Sequence, residues 1–368
     1  MPVKARLLLV SRKWPPAVGG METYSVELAA SLQEFYEVEL LVLAGRGNGA
    51  PGLWAYGGFV LKSMLHCLVL GRRYRQAVFC DLILFPAAVC HWLVSRRSRR
   101  LVVVYGLDLV YQNRSGMLPL LYRMFFGTFR MCQGVFDSVV AISRHTARLA
   151  REAGLRQVAV INPSLPSNEL VEATGASVRI PQAWSRGGRR ILYFGRLVPR
   201  KGALWFARNV MPRLLAEAQF FVVGDTSDAE FRRQFADCER TQLLGRIESP
   251  ALAEMIRTAD VVVMPNIPTP DAVDVEGFGL AAIETTSLGG RLLASRIDGI
   301  TDAVLEGVTG TLVEPADVDA WVAAVSSSLS AVSESQSRRD DISGATRERF
   351  QRSVQARSMR GLLEPAGT

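Results

Sequence analysis

Two glutamates, Glu276 and Glu284, stand on either side of a turn that the sequence pattern places between a strand and a helix. The run before them, 259–264, is apolar and strand-like. The turn and the first helical residue are Gly277, Phe278, Gly279 and Leu280. A helix that begins in this way presents unpaired backbone N–H groups, which bind anions. Because Glu276 precedes the helix and Glu284 lies inside it, the two carboxylates can contact two ends of one bound ligand.

A basic turn follows another strand-like run, 191–195, which ends in Gly195. Arg196 and Lys201 flank this turn, and a helix is expected to follow it through Leu215. Arginine supplies a planar set of donors and lysine a mobile point charge, so both can contact the same diphosphate. An exposed basic turn without a ligand is the alternative, and the glutamates downstream favour the ligand-binding interpretation.

Several other glycines and polar residues lie where strand-like runs end, which is where open α/β sheets bind ligands. They are Gly19, Gly20, Tyr105, Asp108, Gly224, Arg246 and Ile247. Gly19 and Gly20 allow a ligand to approach the backbone closely. Gly224 leaves room for a flat base, whose edge the main chain near 246–247 can contact. A full Gly-x-Gly-x-x-Gly pattern opens neither half, which argues against a dinucleotide-dependent oxidoreductase.

Strand-like runs alternate with helix-compatible segments in both halves of the chain, which predicts an α/β fold with parallel sheets covered on both faces. The strand-like runs of the first half are 6–11, 38–43, 78–85, 101–105, 138–142 and 157–161. The alternation lapses between 162 and 190, where prolines and small polar residues accumulate. We therefore predict a first domain over 1–165, a linker over 166–188 and a second domain over 189–340. A last helix, expected near 345–363 within a segment spanning 341–368, can return to the first domain.

Composition sets the class of protein and of partner. A chain of 368 residues is too long for one typical core, and 49% apolar with 21% charged residues describes a soluble globular protein. The net charge of +8 favours phosphates, nucleotides or an anionic membrane surface as partners. Five scattered cysteines indicate thiols in a reducing compartment. No signal peptide and no membrane-spanning run are visible, so we expect a cytoplasmic protein. The histidines are not spaced as metal ligands would be.

Three stretches of the first half combine apolar with basic residues, namely 59–75, 96–100 and 117–136. One interpretation is a membrane-binding face for a lipid-linked acceptor, which places the protein at the inner face of the plasma membrane. The other is a set of core-facing helices with solvated arginines. The sequence leaves both open.

Taken in chain order, four signatures resemble the retaining glycosyltransferases of the GT-B fold, family 4, also called glycosyl transferases group 1. They are the loop 19–22, the element 195–202, the turn 224–225 and the motif 276–284. The segments 298–300 and 310–313 are also similar. The resemblance covers nearly the whole chain and is strongest over 190–321. It implies two doubly wound, Rossmann-like parallel-sheet domains that face a cleft.

The resemblance also implies a role for each donor-binding residue. Arg196 and Lys201 would hold the donor diphosphate without a metal ion, Glu284 would bond the ribose hydroxyls and Glu276 would face the donor sugar. The backbone of Gly20 would approach the phosphates from the first domain. Departure of a nucleoside diphosphate builds negative charge, which cations and helix N-terminal amides stabilise.

One position departs from the family pattern. The family often has His-Gly-x-Asp at a strand end of the first domain, whereas this chain has Tyr105 in place of the histidine and keeps Asp108. Tyrosine donates a hydrogen bond but does not readily carry a positive charge. A contact of Tyr105 with the donor sugar or the leaving group is therefore a hypothesis.

The predicted reaction is transfer of a hexose, with retention at the anomeric carbon, from a UDP- or GDP-linked sugar to a hydroxyl of a lipid-linked or cell-surface saccharide. The expected catalytic residues are Glu276, Arg196, Lys201, Tyr105 and Asp108. The second domain would bind the nucleotide and the basic first domain the acceptor, and no nucleic acid is expected as a partner. Two alternatives are a nucleotide-sugar epimerase on the same architecture and a non-catalytic scaffold that binds a partner or a membrane.

Overall fold

The computed structural model of the protein describes residues 4–17, 19–45, 52–167, 179–185, 188–269, 274–330 and 336–364. The chain forms two compact units. The first unit comprises Met1–Ser164 with Phe350–Thr368, and the second comprises Leu165–Arg349. Of the predicted linker over 166–188, residues 168–178 and 186–187 lie outside the described residues.

Among the described residues, six parallel strands form the sheet of the first unit. They are β1 (Ala5–Trp14), β2 (Tyr36–Ala44), β3 (Gln76–Phe79), β4 (Arg99–Val104), β5 (Ser138–Ala141) and β6 (Val158–Val160). Their spatial order is β2-β1-β3-β4-β5-β6. The chain passes from β1 to β2 on one side and then returns across β1 to β3. The carboxyl ends of β1 and β3 therefore flank the point where the strand order reverses, which is where such sheets bind ligands.

Helices connect these strands and cover the sheet. They are α1 (Gly20–Gln33), α2 (Leu53–Leu70), α3 (Phe85–Val94), α4 (Leu107–Val110), α5 (Met117–Cys132) and α6 (Arg144–Glu152). The central strands are apolar along their length because both sheet faces are covered: Leu7, Leu8, Leu9 and Val10 of β1 are all fully buried.

The strand predicted over 78–85 is shorter in the structure and ends at Phe79. The carboxylate of Asp81 accepts a hydrogen bond of 3.0 Å from the backbone N–H of Ile83. This cap starts a short 3₁₀ turn over Leu82–Leu84, and α3 begins at Phe85. An aspartate that satisfies an early backbone donor in this way ends the strand despite the apolar residues that follow.

The described part of the second unit contains a parallel sheet of six strands. They are β7 (Arg189–Phe194), β8 (Ala218–Val223), β9 (Thr241–Gly245), β10 (Val261–Met264), β11 (Leu292–Ser295) and β12 (Thr311–Val313). The spatial order is β12-β11-β10-β7-β8-β9. Strands β7 and β10 are neighbours, and the strand order reverses between them.

The helices of the second unit are α7 (Ala203–Asn209), α8 (Ala229–Arg233), α9 (Ser249–Thr258), α10 (Leu280–Ser287), α11 (Ile300–Ala303), α12 (Val318–Ser330) and α13 (Gln336–Arg349). The helix predicted through Leu215 ends at Asn209, followed by a 3₁₀ turn over Met211–Arg213. Pro212 explains this early end, because proline has no N–H for the helical hydrogen bond.

The end of the chain forms two helices where one was predicted near 345–363. Helix α13 ends at Arg349, Phe350 is buried, and α14 (Arg352–Leu363) begins after Gln351, whose backbone is extended. Helix α14 packs against α1 in the first unit, where the Ser31 hydroxyl donates to the Gln355 amide oxygen at 2.8 Å. Within the described residues, no helix combines the length and hydropathy required to cross a bilayer.

Candidate active site

The loops that follow β7 and β10 meet at the carboxyl edge of the second sheet. The backbone N–H of Ile267 donates to the carbonyl of Arg200 at 2.9 Å. Gly202 has a φ of +72°, and a Cβ built there would lie 1.7 Å from the carbonyl oxygen of Pro265. Only glycine fits this position, because any side chain would push the two loops apart.

This contact between the loops brings two cations to one carboxylate. The Lys201 ammonium lies 2.6 Å from Oε2 of Glu276, and Nη1 of Arg200 donates to the same oxygen at 2.6 Å. The Asn266 amide donates to it as well, at 3.1 Å. Arg200 also lies 3.1 Å from Asp274. The side chains of Arg200, Lys201 and Glu276 are all less than one-fifth exposed, so solvent screens these charges little.

Electrostatics keep Glu276 ionised. Burial alone would raise its pKa, but the charges of Lys201 and Arg200 outweigh this and lower the pKa of Glu276 to about 2. Burial lowers the pKa of Lys201, and the nearby charges of Arg200 and Arg196 lower it further, against the opposing effect of Glu276. The Lys201 ammonium is therefore held by a carboxylate within a cluster of positive charge.

The backbone of Glu276 is fixed from the far side of the loop. Its N–H donates to the Asp298 carboxylate at 2.9 Å, and its carbonyl accepts from the N–H of Gly299 at 3.0 Å. A Cβ at Gly299 would lie 2.1 Å from the carbonyl oxygen of Gly277, so the two segments touch through their backbones. Gly279 then caps α10, which begins at Leu280.

The other predicted donor-binding residues lie along the same sheet edge. The N–H of Gly195 donates to the Val223 carbonyl at 3.0 Å, and the N–H of Gly224 donates to the Gly245 carbonyl at 2.8 Å. These bonds align the ends of β7, β8 and β9. The predicted base-contacting residues, Arg246 and Ile247, directly follow β9.

Arg196 and Glu284 complete the predicted residues of the second unit. Arg196 is exposed, but its charge is close enough to lower the pKa of Lys201. Glu284 is partly buried in the second half of α10. Phe278 is buried, at 2% exposure, between the two glutamates. The structure thus brings Lys201 and Glu276 into direct contact and places the other predicted residues of the second unit on loops and a helix at one sheet edge.

Tyr105 and Asp108 lie together at the end of β4 in the first unit. The Asp108 carboxylate accepts the backbone N–H of Tyr105 at 3.0 Å and that of Gly106 at 2.8 Å. Burial raises the pKa of Asp108 to about 7, and the nearby Asp81 adds to this effect. Asp108 therefore orders the turn that carries Tyr105.

The Tyr105 side chain is buried and packs edge-on against Tyr24, with ring centroids 5.4 Å apart. The Tyr105 hydroxyl is buried without a hydrogen-bond partner among the described residues. Gly19 and Gly20 form the start of α1, and a Cβ at Gly19 would lie 2.6 Å from the Glu22 carboxylate.

Sequence reasoning assigned no role to Arg200, Asn266 or Asp298, which hold Glu276 in place. Arg200 directly precedes Lys201, and that adjacency was the available signal. The sequence also did not single out Arg12, whose Nε donates to the Asp81 carboxylate at 2.6 Å where the strand order of the first sheet reverses. Within the described ranges, no group of three or more His, Cys, Asp or Glu residues is arranged to hold a metal ion.

Comparison with known proteins agrees with this architecture. Residues 188–331 match the sequence model of the glycosyl transferases group 1 family. The chain is 25% identical to a GDP-mannose-dependent alpha-(1-6)-phosphatidylinositol monomannoside mannosyltransferase of Mycolicibacterium smegmatis, over 87% of this chain and 88% of that protein. Its fold matches that of a sucrose-phosphate synthase from Thermosynechococcus elongatus with a TM-score of 0.71, at 19% identity and 98% coverage of both chains. The protein is a glycosyltransferase of the GT-B type.

A further solved structure supports the fold of this glycosyltransferase. Anabaena HepE in complex with UDP and glucose matches it with a TM-score of 0.69, at 15% identity, over 97% of this chain and 98% of that one. The family match over 188–331 contains both Lys201 and Glu276. Similarity to named glycosyltransferases favours a transferase over the epimerase and scaffold alternatives.

Proposed function

We propose that this glycosyltransferase transfers a hexose from a nucleoside diphosphate sugar to a membrane lipid-linked saccharide, with retention at the anomeric carbon. The observation that carries the proposal is the 2.6 Å contact between Lys201 and Glu276 beside the point where the strand order reverses. Open α/β sheets bind ligands there, and a buried ammonium next to a helix start is suited to a diphosphate.

The charge balance of the cluster suits an incoming diphosphate. A diphosphate at this sheet edge competes with Glu276 for the Lys201 ammonium, while Arg200 still neutralises Glu276. Arg196 adds an exposed guanidinium that can bind phosphate through two donors. The charge that develops on the departing diphosphate is thus stabilised by Lys201, Arg196 and the first amides of α10.

We assign the two carboxylates of the motif to different parts of the donor. Glu276 is fixed at the sheet edge by Asn266 and Asp298, and we assign it to the donor sugar. Glu284 lies further along α10, and we assign it to the ribose hydroxyls. Tyr105 is assigned to the sugar or the leaving group, with Asp108 ordering its turn.

The names of the relatives suggest a donor and an acceptor for this enzyme. The mycobacterial relative is named for GDP-mannose and for a phosphatidylinositol monomannoside acceptor, whereas HepE binds UDP and glucose. We favour GDP-mannose as the donor and a glycosylated phosphoinositide as the acceptor, since the sequence match to the mannosyltransferase is the higher of the two in identity.

The full-length enzyme, incubated with GDP-mannose or UDP-glucose and phosphatidylinositol monomannoside, tests the proposal. We expect nucleoside diphosphate release that depends on the acceptor, and a product whose anomeric proton signal shows the configuration of the donor. We also expect EDTA to leave the rate unchanged, because the cations that face the diphosphate are side chains. An inverted product, or conversion of the donor without an acceptor, would refute the proposal.

A further inference from the structure

An exposed apolar stripe runs along α5 of the first unit. Met117, Leu121, Met124 and Met131 follow the 3.6-residue period of the helix and are 77%, 54%, 67% and 88% exposed. The opposite face of α5 carries Phe126 and Phe129, which are buried in the core. A surface helix of a soluble domain normally turns polar residues outward. This one is apolar on both faces.

Helix α2 repeats the pattern. Trp54, Leu61, Leu65 and Leu68 recur at helical spacing and are 95%, 67%, 61% and 44% exposed. Large exposed apolar surfaces of this kind mark interaction sites.

Topology puts both stripes on one side of the first unit. The connections β2–β3, β3–β4 and β4–β5 all move in the same direction along the sheet. Parallel crossovers are right-handed, so α2, α3 and α5 cover the same sheet face. Side-chain packing agrees, since Phe85 of α3 contacts Phe125 and Phe129 of α5 with ring centroids 5.2 and 5.7 Å apart.

The charge of this region is predominantly positive. Residues 53–136 contain eleven Lys or Arg residues and two acidic ones, Asp81 and Asp108. Neither acid offsets the surface charge: Asp81 is 4% exposed and paired with Arg12, and Asp108 accepts backbone N–H bonds. The exposed basic residues that accompany the stripes are Lys62, Arg72, Arg73, Arg75, Arg96, Arg97, Arg123 and Arg130.

We propose that the face formed by the exposed stripes of α2 and α5 and these basic residues docks on an anionic lipid bilayer. The helices lie along the membrane plane because their other faces are packed in the core. The apolar stripes enter the boundary between headgroups and acyl chains, and the basic residues contact lipid phosphates. A protein surface would have to supply both a broad apolar face and many negative charges, which an anionic bilayer offers together. This inference deepens the proposed function by naming the surface on which the acceptor is reached.

Vesicle binding tests the inference without donor or acceptor, so its failure is separate from failure of the proposed reaction. Full-length protein is sedimented with vesicles of phosphatidylcholine alone or with phosphatidylglycerol added. We expect binding that rises with the anionic fraction. The double variant Leu121→Glu, Met124→Glu should lose at least tenfold in affinity for anionic vesicles. Arg72→Ala with Arg73→Ala should lose about 25-fold in affinity for anionic vesicles, at about fivefold for each charge.

Leu215→Glu is the matched control, since Leu215 is 50% exposed but lies in the second unit. It should bind vesicles like the wild type, and thermal unfolding should show all variants folded. The inference fails if wild-type protein does not bind anionic vesicles, or if the α5 variant binds as tightly as the control. It also fails if the α5 variant instead converts a dimer into a monomer without changing vesicle binding, because the stripe then covers a second copy.

Trp54 provides a second readout of the same face. Vesicles that contain bromine-labelled lipid should quench part of the tryptophan fluorescence of the wild type, and Trp54→Phe should remove that quenched part. Quenching that is unaltered in Trp54→Phe would show that α2 does not enter the bilayer.

Discussion

The ammonium of Lys201 lies 2.6 Å from the carboxylate of Glu276, although one residue follows β7 and the other lies in the loop after β10. Neighbouring strands bring them together, and the close approach of Gly202 to Pro265 sets the distance between their loops. The cation proposed to bind the diphosphate is therefore already positioned before the donor arrives.

Removal of this ammonium should slow the reaction more than it weakens donor binding. We expect Lys201→Ala to lower kcat by about 10²–10³, as for the loss of one preorganised donor at a developing negative charge. Arg208→Ala is the control, because Arg208 is an exposed cation of α7 in the same unit. Steady-state kinetics with both substrates varied measures kcat for each variant. Equal kcat values for the two variants would show that Lys201 has no role in the chemical step.

The charge of Glu276 should make the stability of the protein sensitive to acid. Its pKa in the folded protein, about 2, lies below the ordinary value of 4.5, so folding favours the ionised form. The stabilisation is present above pH 4.5 and is lost as the pH falls toward 2. Glu276→Gln should abolish this loss, and at neutral pH it should destabilise by about 3–5 kcal/mol because two buried cations lose their carboxylate.

Thermal unfolding between pH 2 and pH 7 measures both effects. The difference in Tm between the wild type and Glu276→Gln should shrink as the pH falls below 4.5. A constant difference over the whole range would mean that Glu276 is not the titrating group.

Gly202→Ala should separate the two loops of the site. The added Cβ would meet the Pro265 carbonyl oxygen at 1.7 Å, at a φ of +72°. Gly307 is a matched control, since it has a φ of +74° and no atom within 4 Å of its Cβ position. Both alanines carry the backbone strain of about 1–3 kcal/mol, and only Gly202→Ala adds the clash. Equal losses in Tm for the two variants would contradict the close approach of the loops.

Glu284→Ala tests the ribose assignment. We expect it to weaken binding of the nucleoside diphosphate by about tenfold. Binding of the corresponding 2′,3′-dideoxy nucleotide should change little, because that ligand lacks the hydroxyls that Glu284 would bond. Competition against a fluorescent nucleotide measures both affinities. The assignment fails if the variant loses the same factor for the two ligands.

The sequence predicts the strands, the domain class and most residues of the proposed site, because each depends on local pattern. The contact between Lys201 and Glu276 could not be predicted in this way, since chain order does not say that β7 pairs with β10. Arg196 and Arg200 illustrate a second limit. Residues of a turn have no period, and the 3₁₀ turn over Pro199–Lys201 directs Arg200 inward and leaves Arg196 exposed.

One element boundary shows the same limit on a smaller scale. The apolar pattern extended a strand to 85, but the strand ends at Phe79, and the Asp81 carboxylate accepts the hydrogen bond that starts the next turn. For the stretch 117–136 the sequence left a membrane-binding face and a core-facing helix open, and the structure shows that Met117, Leu121, Met124 and Met131 of α5 are exposed.

Calorimetric titration of nucleoside diphosphate tests the central claim that Lys201 and Arg196 bind the donor diphosphate. The wild type, Arg196→Ala, Lys201→Ala and the control Arg208→Ala are titrated with GDP and with guanosine, and with UDP and uridine in parallel. We predict that the wild type binds at least one diphosphate with a 1:1 stoichiometry. Each site variant should lose about tenfold, or about 1.4 kcal/mol, for that diphosphate and little for its nucleoside. A wild type that binds neither diphosphate, or site variants that bind it as tightly as Arg208→Ala does, would contradict the account.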